Sequence, residues 1–321
     1  MDLSVIIPLY NETENIKALL DELEEVLQSS GLSYEIVAID DGSQDNTFSL
    51  LKDETLRRQK LIVLRLRRNF GQTAALTAGF DQAQGEIVVT MDGDLQNDPR
   101  EIPALIAKIR EGYDIASGWR KERRDPFLSR RLPSILANKM ISWVTGVKLH
   151  DYGCTLKAFK KEVAKNLRLY GELHRFIPAM AHWMGVTITE VPVNHRSRLH
   201  GRSKYGLSRT FKVILDLITV KFLLTYSTRP IHIFGLWGMI TGLIGIGLVL
   251  VLAIQRLWFG VSLANRPILL LAILLIFIGI QFISIGLLGE LQVRTYHESQ
   301  NKPIYFIKEI IQSPGLSGTV Q

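Results

Sequence analysis

Two long stretches near the C-terminus carry no charged side chain, and they restrict what the chain can fold into more than any other feature. Residues 231–255 and 267–289 contain no Asp, Glu, Lys or Arg over 25 and 23 positions. About 20 apolar residues are enough for a helix to cross the hydrocarbon core of a bilayer. Only residues 256–266 connect the two stretches. The sequence therefore predicts a C-terminal hairpin of two transmembrane helices.

The charges around this hairpin predict its orientation. The connecting segment carries two arginines, whereas the outer flanks carry five cations, Lys221, Arg229, Arg294, Lys302 and Lys308. Lys and Arg are enriched in cytoplasmic segments of membrane proteins, so both flanks are expected on the cytoplasmic side. The single cysteine, Cys154, and the lack of an N-terminal signal peptide agree with that side. We therefore expect an integral protein of the cytoplasmic (inner) membrane whose large N-terminal domain faces the cytoplasm.

Two further features concern the membrane-proximal regions. Gly238 and Gly242 form a pair of small residues that allows helices to approach closely, either between the spans or between subunits of a homo-oligomer.

Residues 205–229 and 304–311 mix charged and apolar side chains at helical spacing. Both are predicted as amphipathic helices, lying at the membrane interface or packed on the soluble domain.

The expected domain organisation follows from these segments. Residues 1–204 form the catalytic domain, 205–229 the juxtamembrane amphipathic helix, 230–290 the two transmembrane helices, and 291–321 a cytoplasmic C-terminal segment with a short amphipathic helix. A net charge of +7 suits an anionic lipid or a phosphorylated substrate. Nucleic acid is not expected as a partner, because neither zinc-finger spacing nor an RNA-binding signature occurs.

The first 204 residues alternate between strand and helix patterns. Short apolar runs predict strands over 4–8, 34–39, 61–66, 86–91 and 114–117, and helical periodicity predicts helices over 12–27, 71–83 and 102–109. This alternation is typical of the α/β class, in which a mostly parallel sheet carries helices on both faces.

Polar clusters follow three of the predicted strands directly. They are Tyr10-Asn11-Glu12, Asp40-Asp41-Gly42-Ser43 and Asp92-Gly93-Asp94. In open α/β sheets ligands bind outside the carboxyl ends of the strands, so these three clusters are expected to share one crevice. That convergence is stronger evidence for a binding site than any single motif.

The side chains in the crevice indicate its chemistry. Asp92, Asp94 and Gln96 supply oxygen atoms of the kind that Mg²⁺ (or Mn²⁺) prefers, alongside substrate phosphates. The alternative is an Asp-rich turn that caps the next helix. Asp40 and Asp41 can accept hydrogen bonds from a base or from ribose hydroxyls, although Asp-Gly-Ser is also a common turn.

A strongly basic segment precedes the first predicted interfacial helix. It contains Arg196, Arg198, Arg202 and Lys204, with Ser203 among them. Arg is suited to bidentate phosphate contacts and Lys to point-charge contacts, so the segment is a candidate site for a lipid phosphate. The alternative is a juxtamembrane patch that contacts anionic lipids, and both roles are compatible.

Several longer motifs occur together in this chain. They are Val5-Ile6-Ile7-Pro8-Leu9-Tyr10-Asn11-Glu12, Val37-Ala38-Ile39-Asp40-Asp41-Gly42-Ser43 followed by Asp45-Asn46-Thr47, Asn69-Phe70-Gly71, and Met91-Asp92-Gly93-Asp94-Leu95-Gln96. With these residues the N-terminal domain resembles the family 2 glycosyltransferases, which have the Rossmann-like GT-A fold. Asp151-Tyr152-Gly153-Cys154, Gly201-Arg202-Ser203-Lys204-Tyr205 and the two spans make the chain similar to the polyprenyl-phosphate branch of that family, which includes dolichyl-phosphate mannose synthases and bactoprenol glucosyltransferases.

The resemblance implies roles for particular residues. The nucleotide would be bound by Pro8, Tyr10, Glu12, Asp40, Asp41, Asp92, Asp94 and Gln96, the last three also holding the metal. Phosphates and the acceptor would be met by Arg120, Arg196, Arg198, Arg202, Ser203 and Lys204. Asp94, Asp151 and Arg202 are the candidate catalytic residues. Asp151 would act either as a base or by positioning an arginine or the sugar hydroxyls.

The resemblance also implies a reaction, the inverting transfer of a single sugar from a nucleotide diphosphate sugar to polyprenyl phosphate. UDP-glucose is the expected donor, with GDP-mannose or another UDP-sugar as alternatives. No Gln-x-x-Arg-Trp motif of the processive synthases is present, which favours single transfer. An alternative of another class is a non-catalytic membrane scaffold that has kept a nucleotide-binding domain.

Overall fold

The computed structural model describes residues 1–121, 132–167, 169, 173–196, 231–260, 262–263, 266–299 and 304–316. The chain divides into two compact units. Unit 1 comprises Met1–Val220 and Pro303–Gln321, and unit 2 comprises Lys221–Lys302. The predicted amphipathic helix over 205–229 lies outside the described residues.

The described part of unit 1 is an α/β structure. Its strands are β1 (Leu3–Leu9), β2 (Tyr34–Asp40), β3 (Leu61–Leu66), β4 (Ile87–Thr90), β5 (Ile115–Trp119), β6 (Lys157–Lys160), β7 (Ile188–Pro192) and β8 (Ile307–Gln312). Its helices are α1 (Ile16–Ser29), α2 (Thr47–Arg57), α3 (Gln72–Gln82), α4 (Ile102–Arg110), α5 (Leu132–Thr145), α6 (Lys161–Asn166) and α7 (Ile177–Trp183). The strands and helices that the sequence predicted up to residue 117 are confirmed, with ends shifted by a few residues.

The strands form one mixed sheet in the order β7-β5-β6-β4-β1-β2-β3-β8. β1 pairs in parallel with β2 and β4, β2 with β3, and β5 with β7. β6 and β8 pair antiparallel to their neighbours. The central strands β1 and β2 are buried along almost their whole length, as expected for strands covered on both faces. The predicted mostly parallel sheet is confirmed.

Helices pack on both faces of this sheet and form two separate cores. On one face α1 buries Ile16, Leu19, Leu20, Leu23 and Leu27 beside the apolar side of α4. On the other face α3 packs against Ile6, Val37 and Ile39, and apolar residues of α6 and α7 belong to the same core cluster. α3 approaches especially closely, because a β-carbon added at Gly79 would collide with the Ile6 side chain. The sheet is therefore held rigidly between two layers, with its strand ends fixed.

The C-terminal segment corrects one prediction from the sequence. Residues 304–311 were expected to form a short amphipathic helix, but Ile307–Gln312 is strand β8, paired with β3. Ile307, Ile310 and Ile311 have helical spacing, which explains the wrong prediction. β3 would otherwise present unpaired backbone groups at a sheet edge, and β8 covers them. The segment consequently belongs to unit 1 and not to a separate C-terminal region.

Unit 2 contains the antiparallel helices α8 (Ile231–Phe259) and α9 (Pro267–Ser299). Both are long and apolar enough to cross a membrane, and only 17% and 11% of the residues in their most apolar windows are buried. Gly279 of α9 lies directly against the backbone of Gly238 and Gly242, so a β-carbon at Gly238 or at Gly279 would clash with backbone atoms of the other helix, whereas one at Gly242 would meet open space. The two glycines therefore serve close packing between the spans, one of the two alternatives raised from the sequence. The predicted homo-oligomer stays a prediction.

Candidate active site

The carboxyl edge of the sheet brings the predicted polar clusters together. β1, β2, β4 and β5 all end there, followed by Tyr10, Asp41, Asp92 and Arg120 respectively. β6 runs in the opposite direction and begins at the same edge, so the preceding loop with Asp151 also arrives there. Hydrogen bonds between these loops show that they meet at one edge of the sheet, and a shared binding crevice there stays a prediction.

The loops after β1 and β2 are joined by hydrogen bonds. The backbone N–H of Asn11 donates to Ser43 Oγ at 3.0 Å, and Asn11 Oδ1 accepts from the N–H of Gln44 at 2.9 Å. Asn11 has a φ of 53°, the left-handed region that asparagine tolerates better than most residues. The N–H of Glu12 donates to Thr47 Oγ1 at 2.9 Å. Tyr10 and Glu12 are thus presented from a turn that is fixed against α2.

The two aspartates after β2 have different environments. Asp41 accepts the N–H groups of Phe70 and Gly71, one on each carboxylate oxygen, at 2.8 and 2.9 Å. Burial raises the pKa of Asp41, and these two hydrogen bonds oppose that rise. Asp40 accepts one hydrogen bond, from the N–H of Ser43. Its Oδ2 is buried without a hydrogen-bond partner among the described residues and lies 3.8 Å from Arg65 Nε.

This difference assigns separate roles to the pair. Asp41 supports the loop after β3, because each of its carboxylate oxygens accepts a backbone N–H group of that loop. Asp40 keeps an acceptor oxygen, and a buried acceptor without a partner costs free energy until a donor is supplied. Both aspartates stay predicted contacts of the nucleotide, and of the two only Asp40 has a buried carboxylate oxygen without a hydrogen-bond partner among the described residues.

Asp92 and Asp94 share the loop after β4. Asp92 accepts hydrogen bonds from Gln72 Nε2 at 2.9 Å and from Thr155 Oγ1 at 2.6 Å. Asp94 Oδ1 accepts the N–H of Gln96 at 3.2 Å. Burial, followed by the charge of Asp94, raises the pKa of Asp92 to about 6. Two carboxylates held together in this way disfavour each other's ionisation, which a bound cation would relieve.

The residues therefore fit a divalent metal. Mg²⁺ is commonly held by one or two carboxylates, the remaining positions being filled by water and substrate phosphates. No group of three His, Cys, Asp or Glu suited to a metal occurs within the described ranges, so a site here would depend on such external ligands. The predicted assignment of Asp92, Asp94 and Gln96 to the metal stays a prediction.

Arg196 is placed differently from the sequence prediction. Its guanidinium contacts Glu22 Oε2 at 2.7 Å and Asp98 Oδ2 at 2.9 Å, and its backbone N–H donates to the carbonyl of Gln96 at 3.0 Å. The side chain joins α1 to the loop before α4, and these contacts do not support its predicted role with phosphate. Arg198, Arg202, Ser203 and Lys204 lie outside the described residues.

Arg120 and Asp151 form a bidentate ion pair. Arg120 Nε donates to one carboxylate oxygen of Asp151 at 2.7 Å, and a terminal nitrogen donates to the other at 3.0 Å. The Asp151 side chain is 2% exposed and that of Arg120 is 19% exposed. Hydrogen bonding and charge from Asp151 raise the pKa of Arg120 despite its burial. Of the two roles predicted for Asp151, this contact matches the positioning of an arginine.

Several residues that hold the site were missed by the sequence interpretation. Gln72, Asn97 and Thr155 surround Asp92, with Asn97 Oδ1 accepting the N–H of Asp92 at 2.9 Å. Lys157 is buried below the Asp151 loop, where its ammonium donates to the carbonyl of Cys154, and burial lowers its pKa. These residues are neutral or isolated in the sequence and form no local pattern, so no sequence signal indicated them.

Comparison with known protein sequences identifies a family and two relatives that resemble this chain. The sequence profile described as Glycosyl transferase family 2 matches residues 4–168. The dodecaprenyl-phosphate galacturonate synthase of Rhizobium johnstonii is 41% identical over 317 residues, which are 97% of this chain and 93% of that protein. The undecaprenyl-phosphate 4-deoxy-4-formamido-L-arabinose transferase of Edwardsiella ictaluri is 37% identical over 312 residues, 97% and 94% of the two chains.

A solved structure shares the fold. Glucosyl-3-phosphoglycerate synthase from Mycobacterium tuberculosis, crystallised with Mn²⁺, UDP and phosphoglyceric acid, aligns with a TM-score of 0.54 at 19% identity. The alignment covers 70% of this chain and 78% of that one. At this identity the likeness establishes the GT-A fold alone. Together with the profile match and the near full-length relatives, it shows that this chain belongs to glycosyl transferase family 2 and is a glycosyltransferase.

Proposed function

We propose that this enzyme transfers one sugar from a nucleotide diphosphate sugar to polyprenyl phosphate at the cytoplasmic face of the membrane. The observation that carries the proposal is the extent of the similarity to the two relatives. It spans 97% of this chain, including both apolar helices, and both relatives are named for sugar transfer to a polyprenyl phosphate. Helices α8 and α9 supply the membrane anchor that such a lipid acceptor requires.

The donor binds at the carboxyl edge of the sheet in this proposal. Asp40 accepts a hydrogen bond from the nucleoside, and Tyr10 and Glu12 line the same pocket. Asp92 and Asp94, with Gln96, hold the metal beside the diphosphate. A divalent cation bound there would stabilise the negative charge that develops on the departing nucleoside diphosphate.

The acceptor phosphate attacks the anomeric carbon of the sugar. A phosphate oxygen forms the new bond while the bond to the nucleoside diphosphate breaks on the opposite face, which inverts the configuration. A phosphate monoester has its second pKa near ~6 and is largely dianionic at neutral pH, so no base is needed to activate it. Asp151 accordingly holds Arg120 towards the phosphates, and Arg198, Arg202 and Lys204 receive the lipid phosphate.

The sequence prediction favoured UDP-glucose as the sugar donor. The relatives are named for galacturonate and for 4-deoxy-4-formamido-L-arabinose. A transfer assay with purified protein in detergent, polyprenyl phosphate and Mg²⁺ should therefore compare the UDP forms of these sugars with UDP-glucose and GDP-mannose. We expect one donor to give a single lipid-linked product by chromatography. Transfer to water alone, or no transfer from any donor, would contradict the proposed acceptor.

The raised pKa of Asp92 makes metal binding depend on pH. Its carboxyl is protonated below its pKa of about 6 and must release a proton before it can hold a cation. The affinity for Mn²⁺, measured by calorimetry without nucleotide, should fall by up to about tenfold per pH unit below that pKa and level off above it. Asp92→Asn should bind Mn²⁺ weakly and without this dependence. A flat profile for the unsubstituted enzyme would contradict the assignment.

A further inference from the structure

The C-terminal strand contacts the donor side of the sheet beyond its own partner strand. β8 pairs with β3 up to Leu66, where the register shifts by a bulge. The contact then continues past the end of β3, because the N–H of Arg67 donates to the carbonyl of Phe306 at 2.9 Å. The segment 304–316 thus reaches the loop formed by residues 67–72.

This loop holds two of the site carboxylates. The N–H groups of Phe70 and Gly71 donate to Asp41 at 2.8 and 2.9 Å. The next residue, Gln72, donates from its side chain to Asp92 at 2.9 Å. Three consecutive residues therefore connect the end of β2 with the end of β4, and a displacement of the loop would affect both strand ends.

The loop is also pressed closely against the turn after β2. Gly42 has a φ of +67°, and a β-carbon there would collide with the backbone of Arg68 and Asn69. On the C-terminal side, the rings of Phe70 and Phe306 lie 6.2 Å apart at 47°. Tyr305 adds a hydrogen bond from its hydroxyl to Asp81 Oδ2 of α3 at 2.8 Å. The loop is consequently held between the Asp41 turn and the C-terminal segment.

We propose that Phe306 is a positioning residue for the donor site, acting through Phe70 on the loop that holds Asp41 and Asp92. The proposal rests on the proposed function, because it requires the nucleotide sugar to bind at this edge. The aromatic pair keeps the loop in the arrangement that binds the donor. Without it the loop has more freedom, and ordering it on binding weakens the affinity for the donor.

The test is the substitution Phe306→Ala. The side chain is 56% exposed, so its loss should leave the fold intact. An aromatic pair of this geometry corresponds to roughly a threefold to tenfold effect on an equilibrium. We expect the Kd for UDP with Mg²⁺, and the KM for the nucleotide sugar, to rise by about that factor. The KM for polyprenyl phosphate should not change, and Phe306→Tyr should restore donor binding.

Ile311→Ala is the matched control on the same C-terminal segment, within β8. Ile311 packs into the core on the opposite face of the sheet, away from Phe70. The substitution Ile311→Ala should lower the melting temperature at least as much as Phe306→Ala does, while leaving the Kd for UDP unchanged. An equal rise in Kd in both variants would overturn the proposal, as would normal donor binding by Phe306→Ala. Failure of the unsubstituted enzyme to bind UDP would instead contradict the proposed function.

Discussion

Replacing Asp94 by asparagine is expected to lower kcat/KM for the nucleotide sugar by about a hundredfold to a thousandfold, the usual effect of removing one group that stabilises transition-state charge. The substitution keeps the shape of the side chain and its oxygen can still accept the N–H of Gln96. It removes the negative charge that, after burial, contributes to the raised pKa of Asp92. The unliganded protein should therefore be as stable as before, or more stable, since a like-charge repulsion is lost.

Asp114→Asn provides the matched control for this prediction. Asp114 lies just before β5, at the opposite edge of the same sheet, and pairs with Lys160 at 2.7 Å. The same change of chemistry there should cost stability without a loss of kcat/KM. Steady-state kinetics and thermal unfolding in detergent separate the two effects. Near-normal activity of Asp94→Asn, or an equal loss in Asp114→Asn, would show that Asp94 has no role in the reaction.

Replacing Arg120 by alanine is expected to have the largest effect on stability. It leaves the Asp151 carboxylate, whose side chain is 2% exposed, without its bidentate partner. Removal of one member of a buried ion pair typically costs about 3–5 kcal/mol, and the partial exposure of Arg120 places this case near the lower end. Thermal or denaturant unfolding of the purified protein measures the loss. Activity should fall as well, because Arg120 is proposed to contact the phosphates.

A double-mutant cycle distinguishes loss of the pair from a general loss of packing. The variant with both Arg120→Ala and Asp151→Ala should be less destabilised than the sum of the single variants, because neither charge is then left unpaired. Strict additivity of the two losses of stability would contradict a coupled pair.

The substitution Asp151→Asn tests whether Asp151 acts as a catalytic base. A required base would lose about 10²–10⁴-fold in kcat together with the acidic limb of the pH profile, whereas a positioning role leaves that limb in place.

The structure differs from the sequence prediction at residues 304–311 and at Arg196. Residues 304–311 have an apolar spacing that fits a helix as well as a strand, and the edge of β3 decided between them. Arg196 was grouped with the phosphate-binding cations because of its sequence neighbours. The structure pairs it with Glu22, 174 residues away in the chain. Local patterns cannot indicate such partners, because long-range contacts depend on how the helices pack.

The α/β class, the meeting of the polar strand ends, the two apolar helices and the family all follow from the amino-acid sequence alone. Each of these features is recognised from local periodicity or from contiguous motifs, and neither requires knowledge of the tertiary contacts. Three contacts follow from tertiary structure alone: the unpartnered buried oxygen of Asp40, the ion pair of Asp151 with Arg120, and the packing of Phe306 against Phe70. These roles depend on which hydrogen-bonding groups meet in space, and residues far apart in the chain supply those groups.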